Sequence, residues 1–133
     1  MTLFLDANIV IYALESHATW GLLAKTRLAT AQAAGDSFMV SDLVRMECLV
    51  LPLRLGNAVV EAQYLAFFGR PDVTVVSITA AVCDRAARIR AAHNFKSMDA
   101  LQLAAAVEHG ARVFLTADAR LRSFTAQTVE VLS

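Results

Sequence analysis

The sequence contains no long hydrophobic segment, although its composition is strongly apolar. Hydrophobic residues account for 57% of the 133 residues, yet no apolar run approaches the roughly 20 residues that a membrane-spanning helix needs. The first residues also lack the basic segment and the small-residue cleavage site of a signal peptide. We therefore expect a cytoplasmic protein without a membrane span.

The apolar content is high for a small protein that works alone. The mean hydropathy is +0.52, whereas a domain of this size has much surface to cover with polar groups. We expect one domain over residues 1–133, with an apolar surface that a partner covers. The simplest such partner is a second copy of the chain, so a homodimer is predicted.

Cysteine and histidine are scarce, and neither forms a metal-binding motif. Cys48 and Cys83 are the only cysteines and belong to no CxxC pair, so we expect two buried apolar thiols without chemistry. The three histidines form no HExxH pattern, and His93 and His109 fall near predicted helix C-termini, where positive charge is favourable. A zinc site is therefore disfavoured.

The chain carries no net charge at neutral pH, because 12 basic side chains balance 12 acidic ones. Charge alone therefore gives no indication of a polyanionic partner. The balance becomes positive if divalent cations neutralise a group of carboxylates, and a nucleic acid then remains a possible ligand.

Apolar segments and turn residues predict strands that alternate with helices. Strands are predicted at residues 3–5, 38–40, 73–76, 113–115 and 129–131. Helices are predicted at residues 9–14, 21–34, 41–52, 57–68, 79–93 and 97–109. Pro52 is expected to kink or end the third helix, and Ser97 to cap the last one. Because the strands are continuously apolar, we predict an α/β fold with a central parallel sheet flanked by helices on both faces.

Four acidic residues interrupt this apolar pattern where a hydrophobic segment stops or a helix begins. Asp6 and Asp118 each follow a predicted strand, Asp99 lies in the first turn of a helix, and Glu47 lies on the helix after the second strand. In parallel sheets the ligand crevice lies beyond the carboxyl ends of the strands. Carboxylates in apolar surroundings need a partner, and a hard divalent cation is one that several can share. We expect the four acids to form one metal site.

The order of these motifs resembles that of the PIN-domain nucleases, and among them the VapC-type toxins. The resemblance rests on Leu5-Asp6-Ala7-Asn8, Met46-Glu47, the stretch SMDALQLA at residues 97–104, and Leu115-Thr116-Ala117-Asp118. It covers essentially the whole chain. It implies an endoribonuclease that depends on Mg²⁺ or Mn²⁺, with one or two ions per active site, that forms a dimer and has a VapB-type antitoxin protein as its partner.

The resemblance also implies roles for individual residues. Asp6 and Asp99 would be the main metal ligands, and Glu47 and Asp118 would complete the catalytic acidic site directly or through water. The supporting residues would be Asn8 and Thr116, whose side chains can hydrogen-bond to the acids without adding charge.

One segment departs from the family pattern. Family members often have a phenylalanine shortly after the last acid, whereas here Ala119-Arg120-Leu121-Arg122 precedes Phe124. The expected reaction is hydrolysis of an RNA phosphodiester bond. Basic side chains near the acids could hold the phosphate backbone, or could simply be solvated surface: Arg45, Lys96, Arg120 and Arg122.

Other interpretations of the acids are open to a direct check. Singly, Asp6 could be a helix cap, Glu47 a solvent-facing residue, Asp99 a first-turn acid and Asp118 a turn former. A haloacid dehalogenase-type enzyme needs a second acid two residues after the first, where this chain has Asn8. A receiver domain needs an early pair of acids and a late lysine, and neither is apparent. The alternative that remains is a non-catalytic PIN-like module that binds RNA or protein.

Overall fold

The computed structural model describes all 133 residues and contains one five-stranded sheet. All pairings in the sheet are parallel, and the strand order is β3-β2-β1-β4-β5. Every strand lies within one residue of its predicted bounds. The strands are β1 (Thr2–Leu5), β2 (Ser37–Ser41), β3 (Val73–Val76), β4 (Val113–Thr116) and β5 (Thr128–Val131).

Six α-helices and one short 3₁₀ helix connect the strands. The 3₁₀ helix spans Ala119–Ser123, between β4 and β5. The α-helices are α1 (Ala7–Leu14), α2 (Gly21–Ala33), α3 (Asp42–Leu55), α4 (Ala58–Phe68), α5 (Ala80–Ala92) and α6 (Ser97–Glu108).

The direction of the crossovers distributes the helices over both faces of the sheet. The chain moves from β1 to β2 and on to β3, and α1 to α4 are in these two connections. It then crosses back over the sheet to β4 through α5 and α6. Because such crossovers are right-handed, the reversal of direction puts the two helix groups on opposite faces. The prediction of a parallel sheet flanked on both sides is confirmed.

The central strands form the apolar core. Leu3, Phe4 and Leu5 in β1 have no exposed surface, and neither have Phe114 and Leu115 in β4. The rings of Phe4 and Phe114 stack on neighbouring strands, with their centroids 5.3 Å apart. Burial on both faces explains why these strands are continuously apolar instead of alternating.

The strand order reverses between β1 and β4, and the chain turns into a helix directly at this point. The backbone N–H of Asp6 donates to the Leu115 carbonyl at 3.0 Å, and its carboxylate then caps α1 by accepting from the Ala7 N–H at 2.9 Å. These two bonds fix Asp6 at the carboxyl end of the sheet, where crevices form in α/β folds.

Two helix ends differ from the predicted positions. Helix α3 continues past Pro52 to Leu55 and ends at Gly56, which has a left-handed φ of 65°. Pro52 is buried inside this helix, at a position where it cannot donate a backbone hydrogen bond. Ser97 is not a cap but the first residue of α6, because the helix starts with the Ala100 N–H donating to the Lys96 carbonyl at 3.0 Å.

The two cysteines differ in their surroundings. Cys48 is buried, as predicted, and burial raises the pKa of its thiol to about 12. Cys83 is exposed on α5, so the prediction of a second buried thiol was wrong. No helix has the length and apolar content needed to cross a membrane.

The turn between α1 and α2 brings two backbone segments into close contact at Gly21. A Cβ atom there would lie 2.8 Å from the Ser16 carbonyl carbon. We therefore expect Gly21→Ala to lower the free energy of unfolding by about 1–3 kcal/mol, measured by urea denaturation.

Gly69 provides the matched control for this substitution. A Cβ atom there would make its nearest contact at an ordinary 3.5 Å, to the Leu65 carbonyl oxygen, so Gly69→Ala should change the stability by less than about 1 kcal/mol. Equal effects of the two substitutions on stability would show that the close contact at Gly21 does not cause the loss.

Candidate active site at the carboxyl end of the sheet

A single cavity of about 210 Å³ lies at the carboxyl ends of the central strands. All four acids singled out from the sequence line it: Asp6, Glu47, Asp99 and Asp118. The remaining lining residues are Ala7, Asn8, Lys96, Met98, Gln102 and Arg120. The fold therefore brings together acids that are up to 112 positions apart in the chain.

Asp6 is the most enclosed of the four acids. Its Oδ2 accepts a hydrogen bond of 2.8 Å from the Thr116 hydroxyl, which is itself completely buried at the end of β4. Burial raises the pKa of the Asp6 carboxyl, although the bonds from Thr116 and the Ala7 N–H act in the opposite direction. The nearby Asp99 and Asp118 charges raise the pKa further. The surroundings of Asp6 therefore disfavour its charged form, which a proton or a bound cation would neutralise.

Glu47 and Asp99 enter the cavity from helices on different sides of the sheet. Glu47 lies on α3, which follows β2, and Asp99 is in the first turn of α6. Burial raises the pKa of both carboxyls, and the neighbouring acids raise it further: Asp6 and Asp99 act on Glu47, and Asp118 acts on Asp99. The three acids therefore repel one another in a partly desolvated space.

Asp118 differs from the other acids because it has a cationic partner. Arg120 donates to its carboxylate from Nε at 3.0 Å and from Nη2 at 2.5 Å. These hydrogen bonds lower the pKa of Asp118. The same Nη2 is 3.8 Å from the Asp99 carboxylate, while 65% of the Arg120 side chain is exposed. Arg120 therefore sits across the cavity mouth between two acids.

Thr116 connects the acids in a way that only the structure reveals in full. In addition to its bond to Asp6, its hydroxyl accepts from the backbone N–H of Asp118 at 3.0 Å. One oxygen atom thus fixes the positions of two acids. Asn8, in contrast, is exposed on α1 and lines the cavity without forming the predicted bond to Asp6, whose oxygens are engaged by Ala7 and Thr116.

The four basic residues near the acids in sequence separate into two groups. Lys96 and Arg120 line the cavity. Arg45 instead lies over the ring of Phe68, 5.5 Å from its centroid, and the exposed Arg122 does not reach the cavity. Of the four basic residues chosen for their proximity in sequence, two therefore face the acids.

The sequence predicts Ser41 as the cap of the helix that carries Glu47, and this is confirmed. It gives no indication that Ser41 would meet Gln102, which lines the cavity. The Ser41 hydroxyl donates to the Gln102 Oε1 at 2.6 Å, and both side chains are buried. The sequence does contain a signal for Gln102, because it follows Asp99 by three residues and therefore lies on the same face of a helix.

The types of side chain in the cavity fit a hard divalent cation. Carboxylates and amides supply the oxygen ligands that such ions prefer, and a cation would offset the burial and the mutual repulsion that together raise the pKa of three of the acids. No three side chains converge on one point as they stand. Mg²⁺ does not require such a convergence, because it keeps several of its waters and commonly binds through one or two carboxylates.

Comparison with known proteins identifies a related family. Residues 3–126 match the family model described as "PIN domain". The fold is similar to Mycobacterium tuberculosis VapC20, described as a Sarcin-Ricin loop cleaving toxin, with a TM-score of 0.76, 19% identity, and 98% and 99% of the two chains covered.

Two further solved structures have a similar fold. A toxin-antitoxin complex from Klebsiella pneumoniae matches with a TM-score of 0.74 and 21% identity, covering 98% of this chain and 97% of the other. VapBC2 from Rickettsia felis, bound to a DNA fragment from its promoter, matches with a TM-score of 0.74 and 15% identity over the full length of both chains. No curated protein matches the sequence significantly. At these identities the likeness establishes the fold.

Burial of Asp99, together with the nearby negative charge of Asp118, predicts that the Asp99 carboxylate costs stability in the absence of metal, although Arg120 and Lys96 act in the opposite direction. Because the pKa of Asp99 is raised in the folded state, the folded protein holds this proton more tightly than the unfolded chain, and stability falls as the pH rises through the folded pKa. With EDTA at pH 7, Asp99→Asn should therefore stabilise the protein by up to about 1 kcal/mol in thermal unfolding.

The pH dependence and a control make this test specific. The gain should disappear at acidic pH, because the wild-type carboxyl is then protonated in the folded state as well. Asp84→Asn, on the exposed surface of α5, should show no comparable gain. A loss of stability in Asp99→Asn at neutral pH would show that the Asp99 carboxylate does not cost stability.

Proposed function

Since the chain belongs to the PIN domain family, we propose that it is a metal-dependent endoribonuclease and the toxin of a toxin-antitoxin pair. The observation that carries this proposal is the convergence of Asp6, Glu47, Asp99 and Asp118 on one cavity at the point where strand order reverses. The toxin that has a similar fold and is described as cleaving the Sarcin-Ricin loop supports RNA as the substrate.

The four acids would hold one or two Mg²⁺ or Mn²⁺ ions, with Asp6 and Asp99 as the main ligands. A bound ion would supply a water of lowered pKa and would offset negative charge on the scissile phosphate. The residues of the chain prepare the site for this chemistry. Thr116 keeps an Asp6 oxygen in position and holds the backbone at Asp118, while Asn8 lies at the rim.

The cations at the cavity mouth would bind the RNA backbone. Lys96 and Arg120 both line the cavity and are exposed, so they can meet a phosphate that approaches the acids from solvent. Arginine and lysine commonly make the phosphate contacts that fix the register of a nucleic acid. Selection among RNAs would come mainly from unpaired bases.

An exposed apolar surface supports the proposal of protein partners. Large apolar side chains are exposed along α3 and α4: Met46, Val50, Leu51, Leu53, Leu55, Val59 and Leu65. Contiguous surfaces of this kind commonly mark protein interfaces. We assign this surface to homodimerisation or to a VapB-type antitoxin. One solved structure of similar fold, from Klebsiella pneumoniae, is a toxin-antitoxin complex.

Cleavage of RNA by purified, antitoxin-free protein tests the proposed activity. A mixed cellular RNA pool with Mg²⁺ or Mn²⁺ should give discrete fragments that are absent with EDTA. Asp6→Asn and Asp99→Asn should each lower the rate by at least roughly 100-fold, since even groups that only support metal ligands typically contribute roughly 10–100-fold.

The controls separate this activity from contamination and from RNA binding alone. Asp84→Asn removes an exposed acid outside the cavity and should cut like the wild type. Cutting that survives both cavity substitutions would assign the activity to a contaminating nuclease. Binding of RNA without cutting by folded, metal-loaded protein would favour the non-catalytic module.

Arg120 gives a second prediction, because its guanidinium occupies the carboxylate of Asp118 that a cation would use. Arg120→Ala should bind Mn²⁺ several-fold more tightly in calorimetric titration, since the competing positive charge is removed. The same variant should have a higher KM for RNA, because a phosphate contact is lost.

Arg122→Ala is the matched control, because Arg122 lies in the same 3₁₀ helix but does not line the cavity. It should leave the affinity for Mn²⁺ unchanged. Unchanged or weaker Mn²⁺ binding in Arg120→Ala would mean that Arg120 does not compete with the ion.

A further inference from the structure

Three small or amide polar residues are buried in this protein, and all three are connected to the acid cavity: Gln102 lines it, Ser41 bonds to Gln102, and Thr116 bonds to Asp6. Thr116 already has an assigned task, since its hydroxyl bonds to Asp6 and to the backbone of Asp118. Ser41 and Gln102 form the second polar unit, and burying it costs free energy unless its hydrogen bonds are satisfied.

The hydroxyl of Ser41 is fully used. It accepts from the Val44 N–H at 3.3 Å and thereby caps α3, the helix that carries Glu47. It donates its own proton to the Gln102 Oε1 at 2.6 Å. One side of the Gln102 amide is therefore fixed by a residue at the end of β2.

The other side of the same amide has no partner. Only 2% of Gln102 is exposed, and its Nε2 is buried without a hydrogen-bond acceptor. A buried N–H donor without an acceptor typically costs about 1–3 kcal/mol. We therefore expect this donor to have an acceptor at the cavity. Gln102 lines the cavity together with the acids, and its proximity acts to lower the pKa of Glu47.

The orientation of the amide follows from the charges around it. If the amide were turned over, Oε1 would face the Glu47 carboxylate, and two acceptors would oppose each other. With Ser41 donating to Oε1, the Nε2 side of the amide is left for Glu47, whose pKa the Gln102 side chain acts to lower. Ser41 therefore selects the one orientation in which Gln102 can donate to Glu47.

We propose that Gln102 is a positioning residue, oriented by Ser41, which donates an Nε2 hydrogen bond to Glu47 and thereby sets its carboxylate relative to Asp99. The spacing suits this task, because Gln102 follows Asp99 by three residues on α6, while Ser41 begins the helix of Glu47. Gln102 bridges the two helices that bring these acids to the cavity. The inference rests on the proposed function for the purpose of the acids, but the hydrogen bond itself does not.

A first experiment tests the hydrogen bond in metal-free protein. In ¹H–¹⁵N spectra with EDTA, the side-chain amide resonances of Gln102 should move in Glu47→Gln, which keeps the size of the side chain and removes its charge. They should move in Ser41→Ala as well, and stay in place in Asp84→Asn. If the Gln102 resonances do not move in Glu47→Gln, the proposal is overturned, whether or not the protein is a nuclease.

A second experiment tests the consequence for the acid site. Gln102→Met keeps the length of the side chain but cannot donate, so Mn²⁺ should bind roughly 10–100-fold more weakly, the usual effect of losing a group that orients a ligand. Gln63→Met on the exposed surface of α4 is the matched control. It should bind Mn²⁺ like the wild type.

A double-mutant cycle separates positioning from a general structural effect. In a Glu47→Gln background, Gln102→Met should cause little further loss of Mn²⁺ affinity, because the carboxylate to be oriented is already absent. Equal losses in both backgrounds would overturn the proposal and indicate a structural role. If the wild type bound no Mn²⁺ at all, the proposed nuclease function would fail, and the spectra would still decide the hydrogen bond.

Discussion

The hydroxyl of Thr116 is the contact on which the arrangement of the acids depends. It lies at the end of β4, donates to the side chain of Asp6 at the end of β1 and accepts from the backbone of Asp118. The three residues come from the two strands between which the order of the sheet reverses. An uncharged group is needed here, because another acid would add repulsion and a base would form an ion pair with Asp6. The site is therefore built by a neutral hydrogen bond between adjacent strands.

The cluster of carboxylates is tolerated because the rest of the domain is so apolar. The sheet has a continuous hydrophobic core, and Ser41, Gln102 and Thr116, which are buried, belong to the cavity or bond to residues that line it. Stability from the core offsets the free energy that three acids with raised pKa cost at neutral pH. This division of labour is common in proteins, where functional sites depart from the rules that the core obeys.

Much of the fold was predictable because the signals were local. The continuously apolar stretch that ends at Leu5, and the equivalent one that ends at Leu115, indicated buried parallel strands. Asp6 directly follows β1, and Asp118 lies two residues after the end of β4, and these two strands are adjacent in the sheet. The order of the four acid motifs added what local pattern could not, namely that Glu47 and Asp99 face the same cavity.

The errors arose where tertiary contacts override local preference. Pro52 is buried inside its helix, which continues beyond it, and Cys83 is exposed because it lies on the outer side of α5. The bond expected from Asn8 to Asp6 is absent, and Asn8 is exposed; the Asp6 carboxylate instead accepts from Thr116, which is 110 positions from Asp6. The pairing of Ser41 with Gln102 spans 61 positions. No local pattern reports which of two distant groups will reach an acceptor.

The distribution of the acids along the chain has a consequence for synthesis on the ribosome. β1 pairs with β4, the fourth strand of the sheet to be made, so the cavity needs residues from both ends of the chain. When Asp6, Glu47 and Asp99 have been synthesised, Thr116 and Asp118 are still missing from the nascent chain, and the hydrogen bond that holds Asp6 cannot form. Long-range strand pairing of this kind also forms slowly. The complete set of acids is therefore assembled only as translation of the domain finishes, by which time α3 and α4 have already emerged and can meet a partner.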